Sequence, residues 1–319
     1  MKHCLIIYNK PYKGAAADES DVLDQVCFVE NALLKLGYSV DSLALTNNFH
    51  KQMFSISATS YDFVFNLVES VWQYDELLHI APAILRIRNI SYSGCSANAA
   101  YITADKLLTK KLLRMAAVAV PGEYKPLLWN QLTVQKHYIV KPIAEDGSVG
   151  ITEESVFQFT GSEPDVLKGK NNTNWFIEEY IDGRELNVSV IATPEGPLVL
   201  RPAEILFHDY PSTMPKIVSY KAKWDEQSFQ FKNSVRSFNT NIPPKLLSEI
   251  NSIALKCWSL FNLHGYARID MRTDSKDQVY VIEVNANPCI SADSGFVAAC
   301  HQASLTDAQI ISNIISDLN

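Results

Sequence analysis

The sequence predicts an α/β fold that begins with a mainly parallel sheet and continues with antiparallel strands. Strand-like and helix-like segments alternate over the first 90 residues, in the rhythm of βαβ units. Farther along, several strand-like segments follow one another, and a short polar loop joins the last two. The chain has 319 residues, which is enough for two or three subdomains around a large core.

The N-terminal region supplies the parallel strands. Strands are predicted at residues 3–9, 38–45 and 61–67, where apolar and β-branched residues cluster. Apolar residues recur at helical spacing between residues 22 and 36, so a helix should connect the first two strands. A second helix is predicted at residues 77–89, and together these elements form a small α/β domain.

The rest of the chain is richer in strands. A helix that contains Lys106 ends before Pro121, and further helices are predicted at residues 244–261 and 306–318. A polar, irregular stretch covers residues 206–242. Strands are predicted at residues 136–142, 174–180, 184–192, 197–205, 265–273 and 278–285.

Composition and charge exclude several classes of protein. The net charge of −7 gives no general attraction to nucleic acid. No segment has the ~18 consecutive apolar residues of a membrane helix, and the apolar run at the start is too short for a signal peptide. The six cysteines are scattered without a CxxC pair, which argues against zinc. We therefore expect a cytoplasmic protein with reduced thiols and with neither nucleic-acid nor membrane partners.

The last two strands carry an unusual set of polar residues. Arg268 and Asp270 alternate with apolar residues on one strand, and Glu283 and Asn285 do so on the next. If residues 275–278 form the turn of an antiparallel hairpin, Asp270 lies opposite Glu283, and Arg268 lies opposite Asn285. Opposed carboxylates repel unless one is protonated or a cation bridges them. Carboxylate and amide oxygens suit Mg²⁺, so this face predicts a magnesium site; the alternative is an ordinary solvated sheet face.

Three further segments fit a nucleotide. Lys141 ends a strand and precedes a loop with two glycines and Ser148, whose backbone N–H groups can cradle phosphates, although such a loop is often only a turn. Glu178 and Glu185 flank another turn and can accept hydrogen bonds from adenine or ribose, unless they form a solvated edge. Lys106 faces either a phosphate or solvent.

Together and in this order, these segments resemble the D-alanine–D-alanine ligase branch of the ATP-grasp family. The resemblance covers nearly the whole chain. It rests on FNLVES (65–70), YSG (92–94), ADKLLTK (104–110), YIVKP with EDGSVG, FIEEYIDGRELNV, AKW (222–224), GYARID and VIEVNANP. It implies an ATP-grasp fold with an N-terminal parallel-sheet pre-ATP-grasp domain at residues 1–95, a central lid subdomain at 96–183 and a C-terminal antiparallel-sheet subdomain at 184–319.

The resemblance implies an ATP site. Glu178 looks like the adenine-contacting acid of the hinge, and Glu185 looks like the ribose-binding acid. Lys223 resembles the mobile-loop lysine that reaches the γ-phosphate. The implied ATP-binding residues are Lys106, Lys141, Ser148, Glu178, Glu179, Ile181, Glu185 and Lys223.

The resemblance also implies where catalysis takes place. Two Mg²⁺ ions, for which Mn²⁺ can substitute, are expected at Asp270, Glu283 and Asn285. Arg268 resembles the arginine that stabilises the oxyanion of the transition state. The implied catalytic residues are Arg268, Lys223 and Ser148.

Four residues are candidates for binding the substrates. Ser294 falls where family members bind the carboxylate of the second substrate, and Cys289 stands where a glycine N–H usually lines the oxyanion site next to Arg268. Glu69 ends a strand beside the interdomain cleft, where it either reads the amine or is a surface or capping acid.

The residues that read the amino-acid substrates depart from the family pattern. Family members carry a glycine-rich N-terminal segment with a glutamate that contacts the first amino group; here that glycine pattern is missing, and Glu19 only approximates the acid. Gly147 replaces the first serine of a Gly-Ser-Ser-Val-Gly loop, and Trp224 replaces a tyrosine after the lid lysine. Because all three members of one hydrogen-bonded set have changed, the sequence predicts a changed substrate.

The implied activity is that of an ATP-dependent, ADP-forming ligase. A carboxylate attacks the γ-phosphate to give an acyl phosphate, and an amine then displaces phosphate to form an amide. Lysines and magnesium neutralise the two approaching anions, and the stretch 206–242 is the candidate lid that excludes water.

The expected substrates are small: an amino acid or small peptide other than a pair of D-alanines. The resemblance also suggests a homodimer. Three alternatives stay open at this point. They are a D-alanine–D-alanine ligase of cell-wall synthesis, an ATP-grasp phosphotransferase that forms no amide, and a non-catalytic nucleotide-binding protein.

Overall fold

Parallel pairing organises the N-terminal part of the chain. In the computed structural model, which describes residues 2–12 and 14–319, β1 (His3–Asn9) pairs in parallel with β2 (Ser39–Leu45) on one side and with β3 (Phe63–Leu67) on the other. Parallel neighbours need crossover connections, which helices provide here. The helices of this part are α1 (Ala17–Ser20), α2 (Val22–Lys35), α3 (Phe49–Ser55) and α4 (Ile80–Ile87). The predicted strands and both predicted helices are present, and the short helices α1 and α3 are additions.

Two helices, rather than the single predicted one, precede the middle sheet. The chain breaks at Asp105, between α5 (Ala97–Ala104) and α6 (Lys106–Met115). The Asp105 carboxylate accepts hydrogen bonds from the backbone N–H groups of Leu107 and Leu108, which is the standard N-cap arrangement. This cap makes Lys106 the first residue of α6.

The middle sheet is antiparallel and has four strands. In order across the sheet they are β4 (Glu123–Tyr124), β7 (Trp175–Glu179), β5 (His137–Pro142) and β6 (Val156–Gln158). Lys141, near the end of β5, pairs with Phe176 of β7. The sheet therefore places Lys141 beside Glu178 on the neighbouring strand.

The C-terminal sheet has six strands, all joined by antiparallel pairing. Its order is β11–β10–β8–β12–β13, with β9 paired to β8. The predicted strand 197–205 is in fact two strands, β9 and β10, with Pro202 between them; proline has no N–H for a ladder bond. The strands are β8 (Glu185–Thr193), β9 (Gly196–Val199), β10 (Ala203–Phe207), β11 (Ser234–Ser237), β12 (Tyr266–Thr273) and β13 (Val279–Asn285).

Five helices accompany this sheet. The short helices α7 and α8 lie within the stretch that looked irregular in sequence, and α9 has the predicted bounds. The bounds are α7 (Tyr220–Trp224), α8 (Phe229–Asn233), α9 (Pro244–Phe261), α10 (Gly295–Gln302) and α11 (Asp307–Ile315).

The last helix joins the two ends of the chain. Ile310, Ile311 and Ile314 of α11 are fully buried in one cluster with Val29 of α2 and Ile6 of β1. The three sheets fall within the three predicted domain ranges, but α11 contributes to the core of the first sheet. The boundaries at 95 and 183 stay predictions.

Helix length also bears on membranes. Within the part of the chain that the structure describes, no helix combines the length and the apolar character that a bilayer crossing requires.

Candidate functional site

One cleft brings the predicted residues together. It has a volume of about 1750 Å³ and is lined by residues of all three sheets. Lys106 is the one predicted site residue that does not line the cleft wall. Those that do are Glu69, Lys141, Ser148, Glu178, Glu179, Ile181, Glu185, Lys223, Arg268, Asp270, Glu283, Asn285, Cys289 and Ser294.

The hairpin of β12 and β13 has the predicted register at the site. Asp270 pairs with Glu283, and Arg268 pairs with Asn285. The predicted four-residue turn is wrong, because the strands end at residues 273 and 279 and leave a loop of residues 274–278. The ladder shifts by one residue next to Asp270, so a β-bulge at Ile282 absorbs the difference and keeps the two carboxylates opposed.

Asp270 is the most heavily bonded carboxylate of the site. Arg268 forms a bidentate pair with it, from Nε to Oδ1 at 2.7 Å and from Nη2 to Oδ2 at 2.8 Å. The side-chain amides of Asn187 and Asn285 also donate to Asp270, at 2.8 and 3.2 Å. The positive charge of Arg268 thus lies on a predicted metal ligand.

Glu283 has a different cation, Lys106. The Lys106 ammonium lies 2.7 Å from Glu283 Oε1 and 3.2 Å from Asp146 Oδ1, and it donates to the Glu145 carbonyl at 2.7 Å. Burial alone would raise the pKa of Glu283, but Lys106 outweighs it and lowers that pKa to about 2. Burial and the neighbouring Glu283 raise the pKa of Asp146. Lys106, which does not itself line the cleft, therefore pairs with acids that do.

The donor set at this face fits magnesium. Within residues 2–12 and 14–319, no group of three or more His, Cys, Asp or Glu side chains is arranged to hold a metal ion. Asp270 and Glu283 nevertheless face each other with Asn285 beside them, and Mg²⁺ usually takes only one or two carboxylates and completes its shell with phosphates and water. These three residues would hold the ion, which would replace Arg268 and Lys106 as the charge partner of the acids.

A buried ion-pair cluster forms the floor near the hinge. Glu178 is 1% exposed; its Oε1 lies 2.5 Å from Lys110 Nζ, and its Oε2 lies 2.6 Å from Lys141 Nζ. Burial by itself would raise the pKa of Glu178, but the two lysines outweigh it and lower that pKa. Burial lowers the pKa of Lys110, and Lys141 adds to that effect. Glu178 thus fixes Lys141 at the point where the glycine loop begins.

The hinge, which is the segment at Asp182 and Gly183 between β7 and β8, is held by Arg272. Its guanidinium donates to Glu185 Oε2 at 3.0 Å, to the Gly183 carbonyl at 3.1 Å and to the Lys216 carbonyl at 2.8 Å. Gly183 must lack a side chain, because a Cβ there would lie 1.9 Å from the Thr273 carbonyl oxygen. The hinge backbone therefore lies directly against the end of β12.

Two other predicted nucleotide residues lie shortly before this hinge in the chain. Glu179 faces Lys136, with 3.0 Å between its Oε1 and Lys136 Nζ. Ile181 lines the cleft directly before the hinge. Both therefore border the space expected for the adenine.

The candidate lid docks on the glycine loop. Ser148 Oγ donates to the Val218 carbonyl at 2.8 Å, and Trp224 Nε1 donates to the Gly147 carbonyl at 2.9 Å. A Cβ on Gly147 would lie 3.8 Å from Lys223 Nζ, so this lysine faces the loop directly. Ser219, the N-cap of α7, also donates to Glu153 Oε1 at 2.6 Å. The two positions that differ from the family pattern, 147 and 224, are therefore joined by one hydrogen bond.

The substrate side of the cleft contains a network between the two ends of the chain. Gln25 Nε2 donates to Glu69 Oε1 at 2.9 Å and to Asp21 Oδ2 at 3.2 Å. Cys289 Sγ donates to the same Asp21 oxygen at 2.9 Å, and the Ile290 N–H donates to Gln25 Oε1 at 3.2 Å. Burial and Asp21 raise the pKa of Cys289 to about 12, so its thiol stays neutral and acts as a donor. Burial, together with Asp21 and Asp146, raises the pKa of Glu69 to about 7.

Glu19, the predicted counterpart of the family glutamate, has a local role. Its Oε2 accepts from the backbone N–H of Ala16 at 3.2 Å. Asp21, two residues later, is the acid that joins the cleft network. Both residues line the cleft and both belong to the acid-rich sequence DESD, so sequence alone could not tell which of them joins the network.

Ser294 lines the cleft, and its role in binding a substrate stays a prediction. It is the N-cap of α10, and its hydroxyl oxygen accepts from the Val297 N–H at 3.2 Å. Its hydroxyl proton is left to donate elsewhere, because a hydroxyl both donates and accepts.

Sequence reasoning missed several residues that hold the candidate site together. Lys110 follows Lys106 by four positions on α6, and that spacing was the available signal for a shared face. Gln25 and Asp21 gave no signal, because their partners lie more than 260 residues away in Cys289 and Ile290. Arg272 alternates with Asp270 on β12, so its position on the cleft face was predictable.

Comparison with known proteins agrees with this geometry. The family described as D-ala D-ala ligase C-terminus matches residues 130–316. A Sinorhizobium fredii protein, y4sG, is 26% identical over 255 residues, which cover 79% of this chain and 73% of that protein. The D-alanine–D-alanine ligase of Carboxydothermus hydrogenoformans is 24% identical over 303 residues, 89% of each chain.

A solved structure extends the likeness to nearly every residue. The VanG D-Ala:D-Ser ligase of Enterococcus faecalis superposes with a TM-score of 0.72 at 16% sequence identity, covering 99% of this chain and 98% of that chain. The ATP-grasp fold inferred from the motifs is thereby confirmed. Because the family match covers more than half of the residues, this chain belongs to the D-alanine–D-alanine ligase branch of the ATP-grasp family.

Proposed function

We propose that this protein is an amino-acid or small-peptide ligase whose substrates are not two D-alanines. The observation that carries the proposal is the hydrogen bond from Trp224 to Gly147. Family members use hydroxyl side chains at these two positions to help read the first amino acid; here an indole and a bare backbone take their place. The exchange removes polar groups that a D-alanine pair would need, so it supports a different occupant.

As a member of its family, the chain is an ATP-dependent, ADP-forming ligase that makes C–N bonds. The substrate carboxylate attacks the γ-phosphate, and the amine then displaces phosphate from the acyl phosphate. Lys141, Lys223 and Arg268 line the cleft, which supports the proposed roles. The two lysines would neutralise the approaching anions, and Arg268 would stabilise the oxyanion as charge develops on it. Bound Mg²⁺, held by Asp270, Glu283 and Asn285, would supply further positive charge against the triphosphate.

The lid supports the same chemistry. An acyl phosphate hydrolyses unless water is excluded. The lid is bonded to the glycine loop through Ser148 and Trp224, and to Glu153 beyond that loop through Ser219. A cytoplasmic location, a homodimer and substitution of Mg²⁺ by Mn²⁺ stay predictions.

A D-alanine–D-alanine ligase is the second candidate, favoured by the Carboxydothermus relative over 89% of this chain. A protein that only binds nucleotide is disfavoured, because Arg268, Asp270, Glu283 and Asn285 together retain the set that chemistry needs.

The experiment is a survey of amino-acid and dipeptide pairs with ATP and Mg²⁺. Phosphate release is measured for each pair, with mass spectrometry of the product and D-alanine as the reference. We expect an amide product from at least one pair whose kcat/KM exceeds that of D-alanine at least tenfold. Selective turnover of D-alanine would establish the second candidate instead, and a phosphorylated product without an amide would identify a phosphotransferase.

A further inference from the structure

The N-terminal sheet gives the cleft an apolar annex, which is the part lined by Tyr12, Leu23, Phe49 and Trp72. The segments after β1, β2 and β3 all leave the carboxyl edge of that sheet, which is the edge where open parallel sheets bind ligands. Tyr12, Leu23 and Trp72 are large, mainly apolar side chains, yet each is about half exposed. Exposed apolar side chains that line one concave wall indicate a binding surface.

Trp72 occupies the tip of a strained two-residue turn. Val71 and Tyr74 form a short antiparallel bridge, with backbone hydrogen bonds of 3.2 and 3.1 Å between them. Between these two residues, Trp72 and Gln73 have φ values of +54° and +68°. A type I′ turn has positive φ at both central residues; Asn-Gly is its favoured sequence, and a bulky residue with positive φ is an outlier. The chain therefore keeps an unfavourable backbone conformation at a residue that lines the cleft.

The position of the Trp72 ring is fixed from below. The ring packs edge-on against Phe49, with 6.2 Å between the ring centroids and 67° between the ring planes. Phe49 is 2% exposed and belongs to the same buried cluster as Val71. Backbone strain that is retained where the core holds a half-exposed indole in place indicates a function for that indole, since stability alone would favour another turn sequence.

The annex suits a substrate better than it suits the nucleotide. The residues expected to bind ATP lie on the hinge, the glycine loop and the lid, and an apolar wall offers nothing to a phosphate. Trp72 instead shares the loop after β3 with Glu69, which joins Asp21 through Gln25 in the network described above. The annex is therefore next to the substrate side of the cleft.

We propose that the annex binds a large apolar side chain, preferably an aromatic one, of one of the two substrates. The proposal rests on the ligase function above and names the class of side chain that the ligase selects. Aromatic rings pack well against one another in offset or edge-to-face arrangements, and the Trp72 indole offers such a surface. The methyl group of alanine would leave most of this wall in contact with water, whereas a benzyl or indolyl group would cover it.

The test compares alanine, leucine, phenylalanine and tryptophan, in both configurations, at each of the two substrate positions. At one position, kcat/KM of the wild type should rise about 10- to 100-fold from alanine to phenylalanine or tryptophan, the range for burying a large apolar group. In Trp72→Ala, this preference should fall about tenfold through KM with kcat unchanged, because the lost contact is made equally in the ground state and the transition state. Trp72→Phe should restore part of the preference.

Two further changes in the same turn serve as controls. Tyr74→Ala removes an exposed aromatic ring that does not line the cleft, so the full preference should remain. The double variant Trp72→Asn, Gln73→Gly has the favoured type I′ sequence and should melt at a higher temperature than the wild type, yet lose the preference. Loss of selectivity in a more stable protein cannot come from misfolding.

A binding measurement separates this proposal from the ligase proposal. Calorimetric titration of phenylalanine and alanine into protein saturated with Mg²⁺ and a non-hydrolysable ATP analogue reports recognition without turnover. Tighter binding of phenylalanine that Trp72→Ala abolishes supports the annex, even if no amide forms and the ligase proposal fails. Equal binding and equal use of the two amino acids by the wild type, or an equal loss for both in Trp72→Ala, overturns the annex; amide formation from small amino acids would then leave the ligase proposal standing.

Discussion

At the scale of single residues, one buried lysine connects the hinge to the strand expected to bind metal. Lys110 is 1% exposed, pairs with Glu178 at 2.5 Å and donates to the Ile282 carbonyl at 2.9 Å. Ile282 is the bulge residue that keeps Glu283 opposite Asp270. A backbone carbonyl displaced by a bulge loses its ladder partner, and Lys110 supplies a replacement.

Replacing Lys110 by methionine should therefore damage both elements. The variant leaves Glu178 with one lysine and the Ile282 carbonyl without its donor, so we expect a loss of about 3 kcal/mol in the free energy of unfolding. Urea denaturation measures it, and ADP affinity should fall as Lys141 loses its fixed partner. Lys111→Met, on the exposed side of α6, should change stability by less than about 0.5 kcal/mol. Equal stability of the two variants would show that Lys110 does not have this role.

Arg268 and Arg272 lie four residues apart on β12 and therefore share a face, yet we expect their loss to have different effects. Arg268 holds Asp270, and Arg272 holds the hinge and Glu185. In Arg268→Ala, amide formation should drop about 10²- to 10³-fold because an oxyanion donor is lost, while ADP affinity stays near that of the wild type. In Arg272→Ala, ADP affinity should itself fall. Calorimetry and product assays on both variants decide, and parallel losses in Arg268→Ala would contradict its oxyanion role.

Residues that belong to a chemical motif could be selected as candidates from the sequence. Residues whose role depends on being buried could not. Lys106 and Lys141 stood in recognisable segments, whereas Lys110 is equally visible in the sequence but looks like a surface residue of an amphipathic helix. The free energy that keeps Lys110 inside comes from Glu178 and a bulge carbonyl, and neither contact leaves a local pattern.

At the scale of elements, the hairpin shows why a correct register can follow from an incorrect turn. The four-residue turn assumed from sequence gives the same pairing at Asp270 as a five-residue loop plus one bulge. The pairing of β12 with β13 near the site follows from the residues that must share a polar face. Turn length constrains this pairing less, because a bulge can absorb one extra residue.

The lid is the element whose docking can be tested most directly. The bond from Trp224 Nε1 to Gly147 is removed in Trp224→Phe, which keeps an aromatic ring in place. One such bond contributes about 1 kcal/mol, so the undocked population should rise about fivefold. Limited trypsin digestion reads this population, because Lys221, Lys223 and Lys232 lie in the lid and cleavage follows the open fraction.

Ser228→Ala provides the control for that digestion. Ser228 caps α8 within the same stretch, and its hydroxyl bonds to Phe231 and Lys221 rather than to the glycine loop. Its cleavage rate should stay close to that of the wild type. A Trp224→Phe rate within twofold of the wild type would show that this bond does not hold the lid.

At the scale of the whole molecule, the cleft is assembled from sheets whose order along the chain could be predicted from sequence. The contacts between those sheets could not be predicted. Local periodicity predicted the strands of the three sheets, so the order of the sheets along the chain was predictable. Their junctions were not: Asp21 meets Cys289, and α11 completes the core around β1, because long-range packing decides which surfaces meet. The substrate wall lies at such a junction, and for that reason the nucleotide residues were easier to identify than the substrate residues.

Two acids that line the cleft make the stability of the molecule depend on pH. Burial, together with Asp21 and Asp146, raises the pKa of Glu69 to about 7, and burial, with Asp146 and Glu145, raises the pKa of Asp75 to about 7. A raised carboxyl pKa means that the folded state binds the proton more tightly than the unfolded chain does. The resulting stabilisation is complete below about pH 4, near the unfolded pKa values, and is lost as pH rises through 7.

We therefore expect the melting temperature of the wild type to fall between pH 6 and pH 8. The double variant Glu69→Gln, Asp75→Asn removes both titrating carboxyl groups. At pH 8 its melting temperature should therefore be higher than that of the wild type, and it should change less with pH across this window. Glu76→Gln, an exposed neighbour of Asp75, should follow the wild-type profile. Glu283, whose pKa is lowered to about 2, stabilises the fold above about pH 4.5 and loses that effect only as pH falls towards 2, so it does not act in this window. Scanning calorimetry at half-unit steps from pH 5.5 to 8.5 measures the slopes, and parallel profiles for the wild type and the double variant would show that these two acids are not protonated together with folding.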